Sequence, residues 1–170
     1  DKLREMIIQE EMKTGSKLPA EAELISVGKR AGKHLKSQAE INELLVARTR
    51  AGKRVVRLKG GDPFLFGRGG EEAEALSNAG LDYEIVPGVT SALAVPAYCG
   101  IPVTHRDCCS SVHIVTAHKK DGKQIPYHAL VQTGGTLLFL MGASALAEVC
   151  TGLLDAGMDP KTPAAVLQKG

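Results

Sequence analysis

The sequence has little net charge, no long apolar run and few aromatic residues. Lysine and arginine outnumber aspartate and glutamate by two, so the formal charge is +2; Trp is absent, and Tyr and Phe occur three times each. These scarcities disfavour a nucleic-acid-binding protein, which usually gathers basic and aromatic residues into stripes. Apolar runs such as the one from Leu137 are broken by Gly and Ser. They are shorter than the ~20 residues of a membrane-spanning helix, so we expect no membrane association.

Secretion signals and paired cysteines are also lacking. No stretch near the start combines basic residues, an apolar core and a cleavage site, and the four cysteines show no C-x-x-C spacing. We therefore expect a cytoplasmic protein with reduced thiols. A metal site would need further ligands near the adjacent Cys108 and Cys109. Histidines do occur nearby in sequence, at His105, His113 and His118, but we expect structural thiols rather than a metal site.

What the sequence does contain is an alternation of strand-like and helix-like segments. Strands are predicted at residues 22–27, 54–58, 83–86, 112–116, 136–140 and 164–167. Helices are predicted at residues 3–12, 37–52, 71–79, 91–98 and 144–156. Such alternation predicts an α/β fold with mostly parallel sheets that helices cover.

Local signals place two helix starts and a domain boundary. Ser37 and Glu40 predict a capping box, with Gly52 ending that helix, and Thr90 or Ser91 caps a later one. The turn-rich stretch at residues 102–111 predicts an N-terminal α/β domain of residues 1–107 and a partial C-terminal α/β domain of residues 108–170. Because the sequence opens at Asp1 without an initiator Met, we interpret it as a fragment of a longer protein.

A glycine-rich loop at residues 59–63 follows the predicted strand at residues 54–58. It is neither a Walker loop nor a G-x-G-x-x-G loop that opens a helix. Asp62 would repel a phosphate, so the ligand is more plausibly cationic, zwitterionic or a ribose hydroxyl. S-adenosylmethionine has these features and no phosphate. A tight turn without any ligand remains open as the alternative.

The loop continues as FLFGRGGEE from Phe64 to Glu72. We expect at least one of Phe64 and Phe66 to lie in the core. Arg68 stands among glycines, where a structural role is hard to find, and it suits recognition of a carboxylate.

Two further loops supply polar groups at predicted strand or helix ends. Thr90 and Ser91 either bind a ligand carboxylate at a helix N-terminus or simply cap the helix. Basic side chains also occur in loops, at Lys29, Arg30, Arg68, His105 and Arg106. Gathered at one edge, they would form a basic mouth for a polyanionic small molecule rather than for DNA.

Several long motifs resemble the tetrapyrrole methylase family. They are VVRLKGGDPFLFGRGGEE from Val55, EIVPGVTSALAVPAYCGIPVTHR from Glu84, VGKRAG from Val27 and GTLLFLMG from Gly135. The family's fold implies two α/β domains with S-adenosylmethionine in the cleft between them. The motifs are most similar to those of the C-methyltransferases acting on uroporphyrinogen III. The implied reaction methylates that substrate twice to give precorrin-2, on the routes to sirohaem and cobalamin.

The resemblance also implies roles for individual residues. The implied cofactor-binding residues are Gly60, Gly61, Asp62, Leu65, Thr90, Ser91, Met141 and Gly170. The implied catalytic residues are Asp1 and Glu71 as candidate bases and Lys29 as a candidate proton donor. The implied substrate-binding residues are Arg68, His105 and Arg106. A homodimer is expected, without metal or nucleic acid. The alternatives are a later precorrin methyltransferase and, more remotely, a nucleotide-binding oxidoreductase domain.

The sequence departs from the family's pattern in three places. The first strand with its GPGDP-type loop and part of the C-terminal domain are missing, which puts activity of this chain alone in doubt. The family's T-G-H is Thr116-Ala117-His118 here, a loss of backbone freedom at one turn.

Overall fold

The computed structural model describes residues 22–27, 29–30, 33–34, 36–117 and 124–167. The chain divides into two compact units between Pro87 and Gly88. The predicted domain boundary after residue 107 lies within the second unit and stays a prediction. The predicted helix at residues 3–12 and three residues that the sequence singled out lie outside the described residues: Asp1, His118 and Gly170.

The first unit contains a short hairpin and two helices. Its elements are β1 (Lys29–Arg30), β2 (Lys33–His34), α1 (Gln38–Arg50) and α2 (Gly69–Asn78). The two strands pair antiparallel, a pairing that the sequence pattern did not predict. Helices α1 and α2 pack against each other. The buried apolar side chains of this unit are Ile41, Leu45 and Ala73.

Helix α1 begins and ends where its sequence predicts. The Ser37 hydroxyl accepts a hydrogen bond from the Glu40 amide at 3.3 Å, and the Glu40 carboxylate accepts one from the Ser37 amide at 2.6 Å. That amide holds the pKa of Glu40 below its ordinary value. At the other end Gly52 has a φ of +72°, and the Lys53 amide donates to the Arg48 carbonyl at 3.1 Å. The capping box and the glycine stop are confirmed.

The second unit is built around a parallel strand pair. Its elements are α3 (Ser91–Tyr98), β3 (Val112–Thr116), α4 (Tyr127–Thr133), β4 (Thr136–Leu140), a 3-10 turn (Ala143–Ala145) and α5 (Leu146–Asp155). Val112 lies opposite Thr136 and Thr116 opposite Leu140. The buried apolar residues are Ala92, Ala117, Ile125 and Val149. The predicted α/β character of this unit and its predicted strands at residues 112–116 and 136–140 are confirmed.

The predicted helix at residues 144–156 is confirmed as α5 with the 3-10 turn before it. The apolar side chains of this helix are buried only in part. Val149 is buried, whereas Leu146 is 43% exposed and Cys150 is an exposed thiol.

The predicted strands at residues 22–27, 54–58, 83–86 and 164–167 are wrong. None of these segments has a ladder partner among the described residues. A strand requires hydrogen bonds to a neighbouring strand, and apolar periodicity within one segment carries no information about that neighbour. Apolar side chains of these segments are accordingly open to solvent, with Leu58 at 68% and Val86 at 73% exposure.

Within the described ranges, no helix combines the length and apolar character that crossing a membrane requires.

Candidate functional site

Asp62 folds the glycine-rich loop back on itself. Its Oδ1 accepts hydrogen bonds from the backbone amides of Phe64 and Leu65, both at 2.9 Å. Asp and Asn side chains stabilise turns in this way. Asp62 therefore has a structural role in the loop, and its predicted contact with a cofactor stays a prediction.

The loop closes tightly at Gly67 and Gly69. The Gly69 amide donates to the Pro63 carbonyl at 2.9 Å. A Cβ at either glycine would lie less than 3.0 Å from that carbonyl oxygen. These two glycines are thus required by the close approach of two backbone segments, without reference to a ligand.

Three non-glycine residues of the described chain have positive φ: Phe66 at 53°, Arg68 at 58° and Met141 at 57°. Bulky residues rarely adopt this conformation, and such strain tends to occur at functional sites. Two of the three, Arg68 and Met141, are predicted site residues, and Phe66 lies within the same loop as Arg68. The strain therefore coincides with the loops that the sequence singled out.

The expectation that Phe64 or Phe66 lies in the core is wrong. Phe64 is 54% exposed and Phe66 is 41% exposed, while Leu65 between them is half-buried. The turn at Asp62 and the left-handed backbone at Phe66 direct both rings outward.

Arg68 and Glu71 form an exposed bidentate pair. The Arg68 Nε lies 2.7 Å from Glu71 Oε1, and the Arg68 Nη2 lies 2.5 Å from Glu71 Oε2. The hydrogen bond to Glu71 raises the pKa of the Arg68 guanidinium above its ordinary value. The predicted carboxylate-binding arginine and one predicted base are thus brought into direct contact. With 41% of the Arg68 side chain exposed, the planar guanidinium stays accessible to a carboxylate from solution.

Glu72, the next residue, is buried, and sequence reasoning missed it. Its carboxylate lies 3.1 Å from Arg57 Nε, 3.1 Å from Lys59 Nζ and 3.3 Å from Gln38 Nε2. Burial raises the pKa of Glu72, but the bonds from Lys59 and Gln38 and the charge of Arg57 outweigh it, so the pKa lies below its ordinary value. Glutamate is common in the first turn of helices because the helix dipole favours negative charge there. Only the basic residues at 57 and 59 could therefore have indicated this cluster from the sequence.

Gly60 lies exposed between these anchored residues, followed by the half-buried Gly61. A Cβ at Gly60 would meet nothing within 4 Å. Neither glycine makes a hydrogen bond within the part of the chain that the structure describes. Backbone amides and carbonyls are therefore available here for a ligand.

In the second unit, Thr90 caps α3. Its Oγ1 accepts a hydrogen bond from the Ala92 amide at 3.2 Å. The simpler of the two alternatives, helix capping, is thus observed for Thr90. Ser91 is exposed at the first position of the helix, and the binding roles of both residues stay predictions.

His105 and Arg106 lie in a tight exposed turn. The His105 amide donates to the Cys109 carbonyl at 3.1 Å, and the His105 Nδ1 accepts from the Asp107 amide at 3.2 Å. Arg106 is exposed at the tip. The turn presents the arginine to solvent, as a substrate-binding role requires, and that role stays a prediction.

Met141 occupies the turn directly after β4. It is 57% exposed. Next to it, the Ala117 amide donates to the Leu140 carbonyl at 2.9 Å, and Ala117 is buried. Ala117, which replaces the family's glycine, is thus accommodated beside the end of β4. Met141 follows β4 and is exposed where the two parallel strands end.

The predicted site residues fall into two groups, one in each unit. The first unit holds Gly60, Gly61, Asp62, Leu65, Arg68 and Glu71 within one loop and the helix start after it. The second unit holds Thr90, Ser91, His105, Arg106 and Met141. Lys29 lies in β1, and its proposed proton transfer stays a prediction.

Comparison with known proteins identifies the family of this chain. The model of the Tetrapyrrole (Corrin/Porphyrin) Methylases matches residues 2–170. The chain is 52% identical over 155 residues to porphyrin biosynthesis protein HemD of Ruminiclostridium josui, covering 90% of this chain and 31% of that protein. It is 51% identical over 156 residues to an S-adenosyl-L-methionine-dependent uroporphyrinogen III methyltransferase of Methanosarcina barkeri, covering 90% of this chain and 61% of that protein.

A solved structure agrees with the sequence relatives. The uroporphyrin-III C-methyl transferase of Thermus thermophilus, complexed with S-adenyl homocysteine, is 40% identical with a TM-score of 0.63. The match covers 73% of this chain and 54% of that one. The chain thus spans 31% and 61% of the two sequence relatives described above. The chain belongs to the tetrapyrrole (corrin/porphyrin) methylase family.

Proposed function

We propose that the full-length protein is a C-methyltransferase that methylates uroporphyrinogen III twice, with S-adenosylmethionine as the methyl donor, to give precorrin-2. The observation that carries the proposal is the loop from Gly60 to Glu71. This short segment combines the exposed backbone of Gly60 with Arg68, whose backbone is strained and whose guanidinium is accessible. The Glu71 carboxylate lies beside that guanidinium. The activities of the relatives from Methanosarcina barkeri and Thermus thermophilus support the same reaction.

The residues present fit the methyl donor. The donor supplies a methyl group already activated on a sulfonium, so the protein's task is positioning. The backbone of Gly60 and Gly61, which makes no hydrogen bond among the described residues, offers donors and acceptors to the polar groups of the methyl donor. The acidic side chain of Asp62, at the same turn, disfavours a phosphate-bearing ligand.

The substrate explains the exposed arginine pair. Uroporphyrinogen carries eight carboxylates, and Arg68 offers the planar set of donors that binds a carboxylate in two places. A substrate carboxylate that takes the place of Glu71 on Arg68 would release the Glu71 carboxylate beside the acceptor ring. The carbon that receives the methyl group carries a side chain and no hydrogen, so the proton that balances the transfer must leave another atom of the macrocycle, and Glu71 could then accept it. Asp1 is the second candidate base, and Lys29 the candidate proton donor.

The test is incubation of the full-length protein with labelled S-adenosylmethionine and uroporphyrinogen III. We expect a product carrying two added methyl groups by mass. A product formed only from a substrate that is already methylated would instead identify a later precorrin methyltransferase. Absence of transfer to either substrate would refute the methyltransferase proposal.

A matched pair of variants tests the role of Arg68. Arg48 forms a similar exposed bidentate pair with Glu23, at 2.7 and 2.9 Å, outside the candidate site. We expect Arg68→Ala to lower kcat/KM by about 100-fold or more, the loss typical of a positioning or charge-stabilising contact. Arg48→Ala should leave kcat/KM near the wild-type value. Near-normal turnover of the Arg68→Ala variant would exclude the role.

We further propose that the protein is a cytoplasmic homodimer that uses no metal and binds neither nucleic acid nor membrane. The nearly balanced charge and the family resemblance support this setting. Light scattering of the full-length protein, together with activity in the presence of a chelator, would test the dimer and the metal independence.

A further inference from the structure

Glu72 is the one charged residue that is buried in the described part of the chain, at 5% exposure. A buried carboxylate is unfavourable unless hydrogen bonds and opposite charges compensate it. Its immediate neighbour Glu71 avoids that cost by facing solvent. The position of Glu72 therefore calls for an explanation in terms of what its carboxylate holds in place.

Both oxygens of Glu72 are occupied. Oε1 accepts from Arg57 Nε at 3.1 Å and from Gln38 Nε2 at 3.3 Å, and Oε2 accepts from Lys59 Nζ at 3.1 Å. Gln38 lies in the first turn of α1. Arg57 and Lys59 lie two residues apart, just before the glycine loop, and Leu58 between them faces solvent at 68% exposure. One carboxylate thus joins the entry of the loop, its exit helix and a second helix.

The connection to Lys59 bears directly on Gly60 and Gly61. The rest of the loop is held by its own bonds, because Asp62 Oδ1 accepts two loop amides and the Pro63 carbonyl accepts the Gly69 amide. Gly60 and Gly61 make no such bonds among the described residues. Their two flanks are Asp62 on one side and Lys59 on the other. The Lys59 side chain is only 12% exposed, and its ammonium pairs with Glu72.

We propose that Glu72 is a positioning residue for the methyl donor: by fixing Lys59 it holds the backbone of Gly60 and Gly61 in the place where the donor binds. The inference rests on the proposed function, which assigns those two glycines to the donor. Glu72 itself touches neither donor nor substrate. Its effect is to keep two flexible residues preorganised, so that binding need not order them.

The experiment compares Glu72→Gln with Glu74→Gln in the full-length protein. Glu74 lies on the exposed side of α2, so its variant controls for the loss of one negative charge from the same helix. The readouts are the Kd for S-adenosylhomocysteine by calorimetry, the KM values for S-adenosylmethionine and for uroporphyrinogen III, and kcat. Lys59→Met and the Glu72→Gln/Lys59→Met double variant complete a cycle.

We expect Glu72→Gln to raise the Kd for S-adenosylhomocysteine and the KM for S-adenosylmethionine by about tenfold, since misplacement by 1 Å can cost about 100-fold. The KM for uroporphyrinogen III should change much less. Lys59→Met should show a similar loss, and the double variant should be little worse than either single one. Glu74→Gln should match the wild type.

A folded Glu72→Gln variant with wild-type affinity for S-adenosylhomocysteine would overturn the proposal, as would additive effects in the cycle. If Glu72→Gln does not fold, Lys59→Met decides alone, because it leaves Glu72 paired with Arg57; unchanged affinity in that variant overturns the proposal. Failure of the proposed function is distinguishable, since the wild type would then either bind no S-adenosylhomocysteine or bind it without methylating uroporphyrinogen III.

Discussion

The first turn of α2 consists of two glycines, Gly69 and Gly70, followed by two glutamates, Glu71 and Glu72. In each pair one residue lies on the buried inner side of the helix and the other on the exposed outer side. Gly69 and Glu72 are buried, whereas Gly70 and Glu71 are exposed. Helix geometry places Gly69 and Glu72 together on the inner side, because residues three apart share a face. The inner side is fixed by the Pro63 carbonyl and by the basic residues at 57 and 59, while the outer side presents Arg68 and Glu71 to solvent.

The comparison shows that two chemically identical neighbours can have different physical roles. Glu71 can give up its place on Arg68 to another carboxylate at little cost, since exposed ion pairs contribute little to stability. Glu72 cannot, because removing it leaves two cations without their counter-charge in a poorly hydrated place. The inner side therefore maintains the loop, and the outer side is free to change on binding.

The largest expected difference between the two sides is in stability. Glu72→Ala should lower the free energy of unfolding by about 3 kcal/mol or more, the typical cost of removing one partner from a buried ion pair. Glu71→Ala should lower it by less than about 1 kcal/mol. Urea unfolding of the full-length protein measures both. Equal losses would show that the two carboxylates have the same environment.

The second prediction concerns pH. The pKa of Glu72 lies below its ordinary value of 4.5 in the folded state, so the charged carboxylate stabilises the fold at all pH values above 4.5. That contribution is lost as the pH falls below 4.5 and through the lowered pKa, because in this range the unfolded state binds the proton more readily than the folded state does. The stability difference between wild type and Glu72→Gln should therefore be constant from about pH 6 to pH 7 and shrink toward about pH 3. A difference that persists unchanged in acid would contradict the pairing.

The starts of α1 and α2 illustrate what the sequence could and could not predict. The capping box at Ser37 and Glu40 was predictable because both partners lie within one turn of chain. Strands β3 and β4 were predictable because their apolar runs are short and bounded by turn residues. Glu72 was not, because its burial depends on where Arg57 and Lys59 come to lie, which is a tertiary fact that a first-turn glutamate does not reveal.

The wrong strand predictions have a related cause. Residues 54–58 show the same apolar enrichment as β3, yet only β3 has a partner strand among the described residues. Likewise the placement of Phe64 and Phe66 depended on a left-handed backbone at a non-glycine residue, which sequence patterns do not predict. The turns at these loops were nevertheless predictable, because glycine, proline and aspartate mark tight turns directly in the sequence.

The third prediction compares the two glycines. Gly69→Ala should destabilise the protein by about 1 to 3 kcal/mol, because the new Cβ would overlap the Pro63 carbonyl and the backbone would have to shift. Gly70→Ala, whose Cβ would meet nothing within 4 Å, should be neutral or stabilise by about 0.5 to 1 kcal/mol, since alanine has the higher helix propensity. Thermal unfolding of the two variants measures the contrast, and a comparable loss in both would show that the inner side is not tightly packed.

The smallest expected effect is a difference between Glu71 and Glu72 in how salt changes the stability loss of their variants. At low ionic strength Glu71→Gln should lower stability by a few tenths of a kcal/mol, and this loss should disappear near 1 M salt, where the screening length is about 3 Å. The loss in Glu72→Gln should persist, because partly desolvated pairs are screened far less. Urea unfolding midpoints at several salt concentrations measure both series. Persistence of the Glu71 effect at high salt would mean that Arg68 is held as rigidly as Lys59, and that a substrate carboxylate could not readily take the place of Glu71.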